Sequence, residues 1–516
     1  MVLYEKLEMQ KPILLILRRL MPFLLGAAAA LALPPSNLWW LLFLVLPSVL
    51  HFWSKQASKG LTKQFFFGWL FGLGYFLVAL HWIGYAFFVD AEADLWMMPF
   101  AVGGLSAVLS IYWGLAFMMG SLLVKRGHPS WLALPLCLGI AEWLRGILFS
   151  GFPWAVWGQM VDGMGGVSQF ASVVGMVGLT FCILLWAAAP LGIWRDQGPR
   201  RAVAIIVLAS LPVIFAWGEW RLAQNPTQYV SDVMLRLVQP NINQSDKWRN
   251  GNARAIYDQL LQMTAAPSST GKPITHIIWP ESSVPFLIDE SAPGRAELAA
   301  VLKPNQILLA GAVRRDSATP DAKYFTSILM FDHNSDVISH YDKFHLVPGG
   351  EFLPLEWALA PLGFRRLVSL PESFTPGDGP KTIAVPGAGW AGFSVCYEAI
   401  FPGAVAGTDR RPNWLVNVTN DGWFGTSTGP YQHLAMLRLR TIERGVPAAR
   451  AANTGISAVI DPLGRMTFNS QLNTIGSFDL ALPKEMGETV YVEIGSILFT
   501  ILIGTLFLVG DYLKQY

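Results

Sequence analysis

Apolar residues run along this chain in long, nearly unbroken stretches up to about position 218; they then shorten among polar residues, and lengthen once more near the end. A helix needs about 20 apolar residues to cross the hydrocarbon core of a bilayer. Roughly eight runs suit that purpose, near 13–32, 38–54, 64–88, 97–124, 130–149, 168–194, 202–218 and 494–510. Several exceed the required length and are expected to tilt or to extend past the lipid. The first run has the outline of a signal peptide, with Lys11, Arg18 and Arg19 ahead of an Ala/Leu-rich segment. A second apolar run follows closely after Pro34, Pro35 and Ser36, so retention as a span is the expectation.

The segment between the seventh and eighth runs has a different texture. Short apolar stretches at 234–238, 276–279, 306–313, 325–331, 390–395, 414–418 and 456–460 are bounded by turn residues and read as strands. Helical patterns intervene, notably at 252–265 and 432–444. Strands alternating with helices predict an α/β domain with a layered sheet. The organisation expected is a transmembrane domain at 1–219, a globular domain at 220–492 and a last span at 493–516.

Charge orients this arrangement. Lys55, Lys59 and Lys63 fall between runs two and three, Lys125 and Arg126 between four and five, and Arg195, Arg200 and Arg201 between six and seven. The alternate loops carry no Lys or Arg, and one holds Asp90, Glu92 and Asp94. The positive-inside rule then predicts a cytoplasmic N-terminus, an outward-facing globular domain and a cytoplasmic Lys514. Composition agrees with a membrane protein: 53% of the 516 residues are hydrophobic, mean hydropathy is +0.41, and the 21 Trp suit interfacial positions. No basic run interleaved with aromatics is present, which argues against nucleic-acid binding.

Three segments of the globular part set a reactive side chain beside a predicted strand. These are His276-Ile-Ile-Trp-Pro-Glu281, Tyr341-Asp-Lys343 running into a Gly-rich turn at Glu351, and Gly392-Phe-Ser-Val-Cys396-Tyr397-Glu398. Carboxylate, ammonium and thiol suffice for acyl transfer, because a thiol needs either a base or a neighbouring cation to become a nucleophile. Of the three cysteines, Cys137 and Cys182 lie in apolar runs, which leaves Cys396 alone in the polar half with no disulfide partner. Taken one at a time, each group has an ordinary reading: a solvated loop Glu, a surface Lys, a core Cys. His276, His345 and His433 are scattered in sequence, without metal-ligand spacing, so neither a metal nor a cofactor is expected.

The order Glu, Lys, Cys with these flanks resembles the nitrilase, or carbon–nitrogen hydrolase, superfamily over most of residues 232–480, including Asn417-Val-Thr-Asn-Asp-Gly-Trp423-Phe-Gly425. Such a domain after seven apolar spans and before one more is similar to the bacterial apolipoprotein N-acyltransferase family. That resemblance implies an αββα sandwich joined to a polytopic helical domain in the inner membrane, with the catalytic domain in the periplasm and both termini cytoplasmic. It implies acyl transfer from a phospholipid, through a Cys396 thioester, to the N-terminal amine of a diacylated apolipoprotein. It further implies Cys396 as nucleophile, Glu281 as general base and Lys343 as oxyanion and thiolate stabiliser. Glu351, Tyr397, Glu398, Trp248 of Gln244-Ser-Asp-Lys-Trp248 and Trp423 are implied as supporting positions, in a chain expected to act as a monomer. A membrane-tethered amidase would use the same residues with water as acceptor, and a transporter or scaffold carrying an inactive module is a further alternative. The segment 353–368, with Trp357, Leu359, Leu362, Phe364 and Leu367, reads either as an arm toward lipid or as a packed surface helix. Arg145 reads either as a phosphate contact or as a snorkelling cation.

Overall fold

The structure, a computed structural model, describes residues 19–56, 60–247, 249, 251–319, 321–367 and 374–516. Trp248, the first residues of the 13–32 run, Lys59 and the end of the 353–368 segment lie outside the described residues. Two compact units emerge. One runs through His81, Met98–Ala223 and Glu493–Tyr516; the other comprises Trp82–Met97 and Gln224–Val492.

The first unit is helical. Among the described residues five helices are long and apolar enough to cross a membrane, at Leu61–Ala79, Ala91–Lys125, Ser130–Ser150, Gly165–Arg195 and Gly198–Gln224. Shorter apolar helices occur at Arg19–Ala30, Trp39–Ser54 and Ile497–Leu513. Small residues let these helices approach: a Cβ on Gly26 would lie 1.9 Å from the Phe71 carbonyl oxygen, and one on Gly74 2.0 Å from that of Phe23. The C-terminal helix rejoins this unit through Phe499, whose ring stands 5.4 Å from Trp143 and 5.9 Å from Phe181. The Gly198–Gln224 helix leaves Ile205, Ile206, Val213 and Trp220 exposed, an apolar face that suits lipid rather than water.

Arg145 takes neither of the roles read from sequence. It is 1% exposed and pairs with Glu142, Nη2 to Oε2 at 2.6 Å and Nε to Oε1 at 3.1 Å. Its Nη1 donates to the carbonyls of Phe152 and Trp154, and the guanidinium lies over the Phe76 ring. Trp113 Nε1 donates to the same Glu142 at 2.7 Å.

The second unit holds two six-stranded sheets. In chain order the strands are β1 Tyr229–Gln239, β2 His276–Trp279, β3 Ile307–Arg315, β4 Tyr324–Phe331, β5 Val337–Asp342 and β6 Thr382–Val385. They continue with β7 Gly389–Val395, β8 Trp414–Thr419, β9 Ala448–Ala452, β10 Ala458–Ile460, β11 Met466–Asn469 and β12 Gly476–Pro483. One sheet has the order β12-β1-β2-β3-β4-β5 and the other β11-β10-β9-β8-β7-β6. In each sheet a parallel trio, β1-β2-β3 or β7-β8-β9, is flanked by antiparallel strands.

Packing follows the alternation of side chains along the strands. Leu235, Leu237, Ile278, Leu309 and Met330 of the first sheet meet Phe393, Val395, Val416, Val418 and Ala449 of the second in one buried cluster. The opposite face of the first sheet, with Val238, Ile277, Trp279 and Leu308, covers Tyr257, Leu260 and Leu298 of the helices Asn252–Ala265 and Ala292–Val301. Leu415 and Ala448 of the second sheet cover Leu434 and Leu437 of the helix Gly429–Arg444. The result is four layers, helix, sheet, sheet, helix, as the resemblance implied.

Candidate active site

Each reactive side chain sits where a strand stops. β2 runs into Pro280, which has no N–H to continue a ladder, and the chain turns to present Glu281. That turn crosses β3 at its closest over Gly311: a Cβ there would lie 2.3 Å from the Pro280 oxygen and 2.7 Å from the Glu281 Cα. Ser283 then clamps the turn, donating its N–H (2.7 Å) and its hydroxyl (2.9 Å) to the Gly311 carbonyl. Lys343 directly follows β5, and its N–H still donates to Thr326 on the neighbouring strand, at 2.9 Å. Cys396 directly follows β7 with φ +49°, a left-handed conformation unusual for a side-chain-bearing residue.

These groups converge out of solvent. Lys343 is 1% exposed, with Nζ 3.5 Å from Glu281 Oε1, 3.1 Å from Glu351 Oε1 and 3.0 Å from Glu351 Oε2. Glu281 Oε2 accepts the Asn420 N–H at 2.8 Å, and Glu351 Oε2 accepts the Val347 N–H at 2.8 Å. Burial alone would strip the Lys343 ammonium, but the Glu351 and Glu281 carboxylates outweigh it and hold the group above the ordinary lysine range. For Cys396 the balance runs the other way. Burial and the Glu281 charge push the thiol well above its ordinary range, and Lys343 only partly offsets them. The resting group is thus a thiol rather than a thiolate.

Glu398 ties the two sheets at this point. Its Oε1 accepts from the Tyr341 hydroxyl (2.8 Å) and the N–H groups of Phe344 (2.8 Å) and His345 (3.2 Å), and its Oε2 from the Val395 N–H (2.7 Å). Burial pushes its carboxyl up to about 7 against those donors. Tyr397 is buried edge-on to Phe401, and Trp423 lies half-buried in the turn Asp421–Phe424. The segment at 353–368 is no packed helix. It forms one α-helical turn, Glu356–Leu359, and a 3-10 turn, Ala360–Leu362, that leave Trp357 80% and Leu362 68% exposed. Arg365 holds its far end through Asp94 (2.8 Å) and Asp90 (3.2 Å), and Phe364 packs on Trp96.

Several residues here were not singled out from sequence. His433, which looked isolated, stands against Cys396: Nε2 is 2.9 Å from the Cys396 carbonyl oxygen and Nδ1 2.9 Å from Asp421 Oδ1. Arg450 completes the group, with Nη2 2.7 Å from Asp421 Oδ2. One potential ligand atom each from Cys396, Asp421 and His433 lies within 4.8 Å of the others, yet Asp421 and His433 already spend these atoms on hydrogen bonds. Lys247 is likewise buried, with Nζ 3.3 Å from the Glu281 carbonyl oxygen, and burial lowers its ammonium to about 8 against the pull of Glu281. A signal for the network did exist: an Arg inside the Ala-rich run Ala448–Ala452 must be buried, and a buried guanidinium needs a carboxylate.

Comparison with known proteins places both parts of the chain in known families. Residues 25–189 match the apolipoprotein N-acyltransferase N-terminal domain, and residues 234–489 match the carbon-nitrogen hydrolase family. An apolipoprotein N-acyltransferase from Rhodopseudomonas palustris is 38% identical over 501 residues, covering 94% of this chain and 93% of its own. Those of Bradyrhizobium diazoefficiens (40% identical, 94% and 93% covered) and Sinorhizobium medicae (37%, 96% and 95%) are similarly close. With both of its regions matched and most of its length aligned, the chain belongs to the apolipoprotein N-acyltransferase family.

Proposed function

We propose that this protein transfers a fatty acyl chain from a membrane phospholipid to the N-terminal amine of a diacylglyceryl-cysteine lipoprotein, through a thioester on Cys396. The observation that carries the reading is the buried convergence of Cys396, Lys343, Glu281 and Glu351 in a member of this family. Glu281 takes the thiol proton as sulfur attacks the ester carbonyl of the phospholipid, and Lys343 steadies the oxyanion. Collapse of the tetrahedral intermediate breaks the carbon–oxygen bond, and Glu281 returns the proton to the departing lysophospholipid alkoxide. The lipoprotein amine, whose ordinary pKa of about 7.7–8.0 leaves a neutral fraction, attacks the thioester. Glu281 accepts a proton from the new nitrogen centre, and the thiolate leaves and is reprotonated.

Both substrates are lipids, held in the bilayer by about 0.8 kcal/mol for each buried CH₂. The exposed Trp357 and Leu362 supply an apolar surface that suits entry of this segment into the headgroup region. The charge pattern of the loops supports an inner-membrane arrangement with the catalytic unit in the periplasm, both termini cytoplasmic, and residues 1–219 and 493–516 as the spanning parts. Intact-mass analysis of the purified protein incubated with phospholipid but no acceptor tests the mechanism. An acyl adduct on Cys396, labile to hydroxylamine and absent in Cys396→Ala, is expected together with released lysophospholipid. Acyl transfer without any adduct would rule the thioester out.

A further inference from the structure

The nucleophile stands on a left-handed residue, and what holds it there lies behind it rather than in front. Cys396 has φ +49°, and its carbonyl oxygen is 2.9 Å from His433 Nε2. A carbonyl oxygen only accepts, so Nε2 carries the proton and donates it. Nδ1 lies 2.9 Å from Asp421 Oδ1 and 3.1 Å from Arg450 Nη2: a neutral ring accepts there from Arg450 and a protonated ring donates to Asp421, so either form is held from its other side. Asp421 is in turn gripped by Arg450 Nη2 (2.7 Å) and the Thr419 hydroxyl (3.0 Å), and Arg450 Nη1 donates to Asn417 at 2.6 Å. Asp421, His433 and Arg450 are each at most 1% exposed, so water does not compete for these bonds.

The chemical effect follows from the planarity of the peptide. The Cys396 carbonyl and the Tyr397 N–H belong to one rigid unit and point in opposite directions. Holding the carbonyl therefore aims the amide. The N–H of the residue after a nucleophile on a sharp turn is well placed to meet the oxyanion of a tetrahedral intermediate. We infer that His433, backed by Asp421 and Arg450, is a positioning residue for acyl transfer: it aims the Tyr397 amide at the oxyanion by gripping the Cys396 carbonyl. It touches neither substrate nor sulfur chemistry directly. This inference rests on Cys396 being the acyl carrier.

Two reactions of the same thiol separate this role from general structural support. Attack on a phospholipid ester builds an oxyanion. Alkylation by iodoacetamide does not, because a carbon–sulfur bond forms at saturated carbon while iodide leaves. In His433→Phe, formation of acyl-Cys396 from dioleoyl-phosphatidylethanolamine in detergent micelles should fall about a hundredfold or more, the loss typical of one oxyanion donor, while alkylation at Cys396 changes less than about threefold. His433→Gln, which keeps an N–H able to reach the carbonyl, should recover to within about tenfold of wild type. Equal losses in acylation and alkylation, or acylation at the wild-type rate in His433→Phe, would overturn the inference. Should His433→Phe not fold, His433→Gln decides: a hundredfold loss in that folded variant also overturns it. A wild-type protein that forms no adduct would instead fail the acyl-carrier reading itself.

Discussion

Two of the buried charge sets, one from each compact unit, differ in stoichiometry. In the helical unit a single guanidinium meets a single carboxylate, and the remaining donors of Arg145 go to the carbonyls of Phe152 and Trp154. The pair is neutral and fixes the chain between Ser130–Ile147 and the following turns. In the αββα unit one ammonium serves two carboxylates, Glu281 and Glu351, and lies beside a thiol. Only Lys343 reaches both carboxylates at ion-pair distance, so neither carboxylate has a cation to itself. A balanced buried pair holds shape, whereas an unbalanced one can move a proton.

Removing the shared cation should have the largest effect. Lys343→Met should reduce acyl-Cys396 formation about a thousandfold or more, the upper end for a lost oxyanion donor, as read by intact-mass time courses. Retention of a tenth of the rate would mean that the ammonium is structural, and the contrast would fall. The opposite pattern is expected in the helical unit. Glu142→Leu strands a buried guanidinium and should cost about 3–5 kcal/mol in detergent unfolding, while each folded molecule still acylates at close to the wild-type rate. The double variant Glu142→Leu/Arg145→Met should regain most of that stability, since an apolar pair of similar volume often replaces a buried ion pair. A tenfold fall in rate per folded molecule would show the two regions to be less separate than their chemistry suggests.

Smaller effects sharpen the comparison. Gly311→Ala pushes a methyl group into the Pro280–Glu281 turn and should displace the Glu281 carboxylate, lowering the acylation rate about tenfold to a hundredfold and iodoacetamide reactivity with it, since both reactions need the thiol proton removed. Unchanged acylation would mean the turn yields without moving the carboxylate. Lys247 offers the mildest test. Its folded pKa of about 8 lies below the ordinary 10.5. Between these values the unfolded chain keeps a proton that the folded one has lost, so stability rises with pH across that window. The gain is at most about 1.4 kcal/mol per pH unit, and Lys247→Met should abolish it in unfolding midpoints compared between pH 8 and 9. An identical pH dependence in the variant would remove Lys247 from the buried set.

Much of this was legible in the sequence where one physical rule dominated. Seven strands were readable because each carries a buried face: β1, β2, β3, β4, β7, β8 and β10. The strands missed lack that signature. β5 and β11 are largely exposed at the sheet edges, β6 is a four-residue edge strand, β12 opens on Gly and ends on Pro, and β9 is an alanine run whose propensity favours helix until the sheet claims it. Reactive residues at strand ends were visible as motifs. The His433 network was not, because its members are 12 to 37 positions apart and meet only through the packing of Gly429–Arg444 on the second sheet. The 64–88 run broke early, at Ala79, since Trp82–Met97 pack with the αββα unit, where Trp82 meets Phe424 at 4.5 Å.

The Glu398 staple has a consequence in time. It binds residues 341, 344 and 345 from one sheet and 395 from the other. The ring behind the thiol waits further, on Arg450. During synthesis the base and the ammonium therefore emerge long before the thiol, and the thiol before its support. A partly made chain, already standing among phospholipids, carries the parts of an acyl-transfer centre but not the centre. The long sequence separation that slows assembly also acts as a safety catch: the buried cluster cannot close until almost all of the αββα unit has been made.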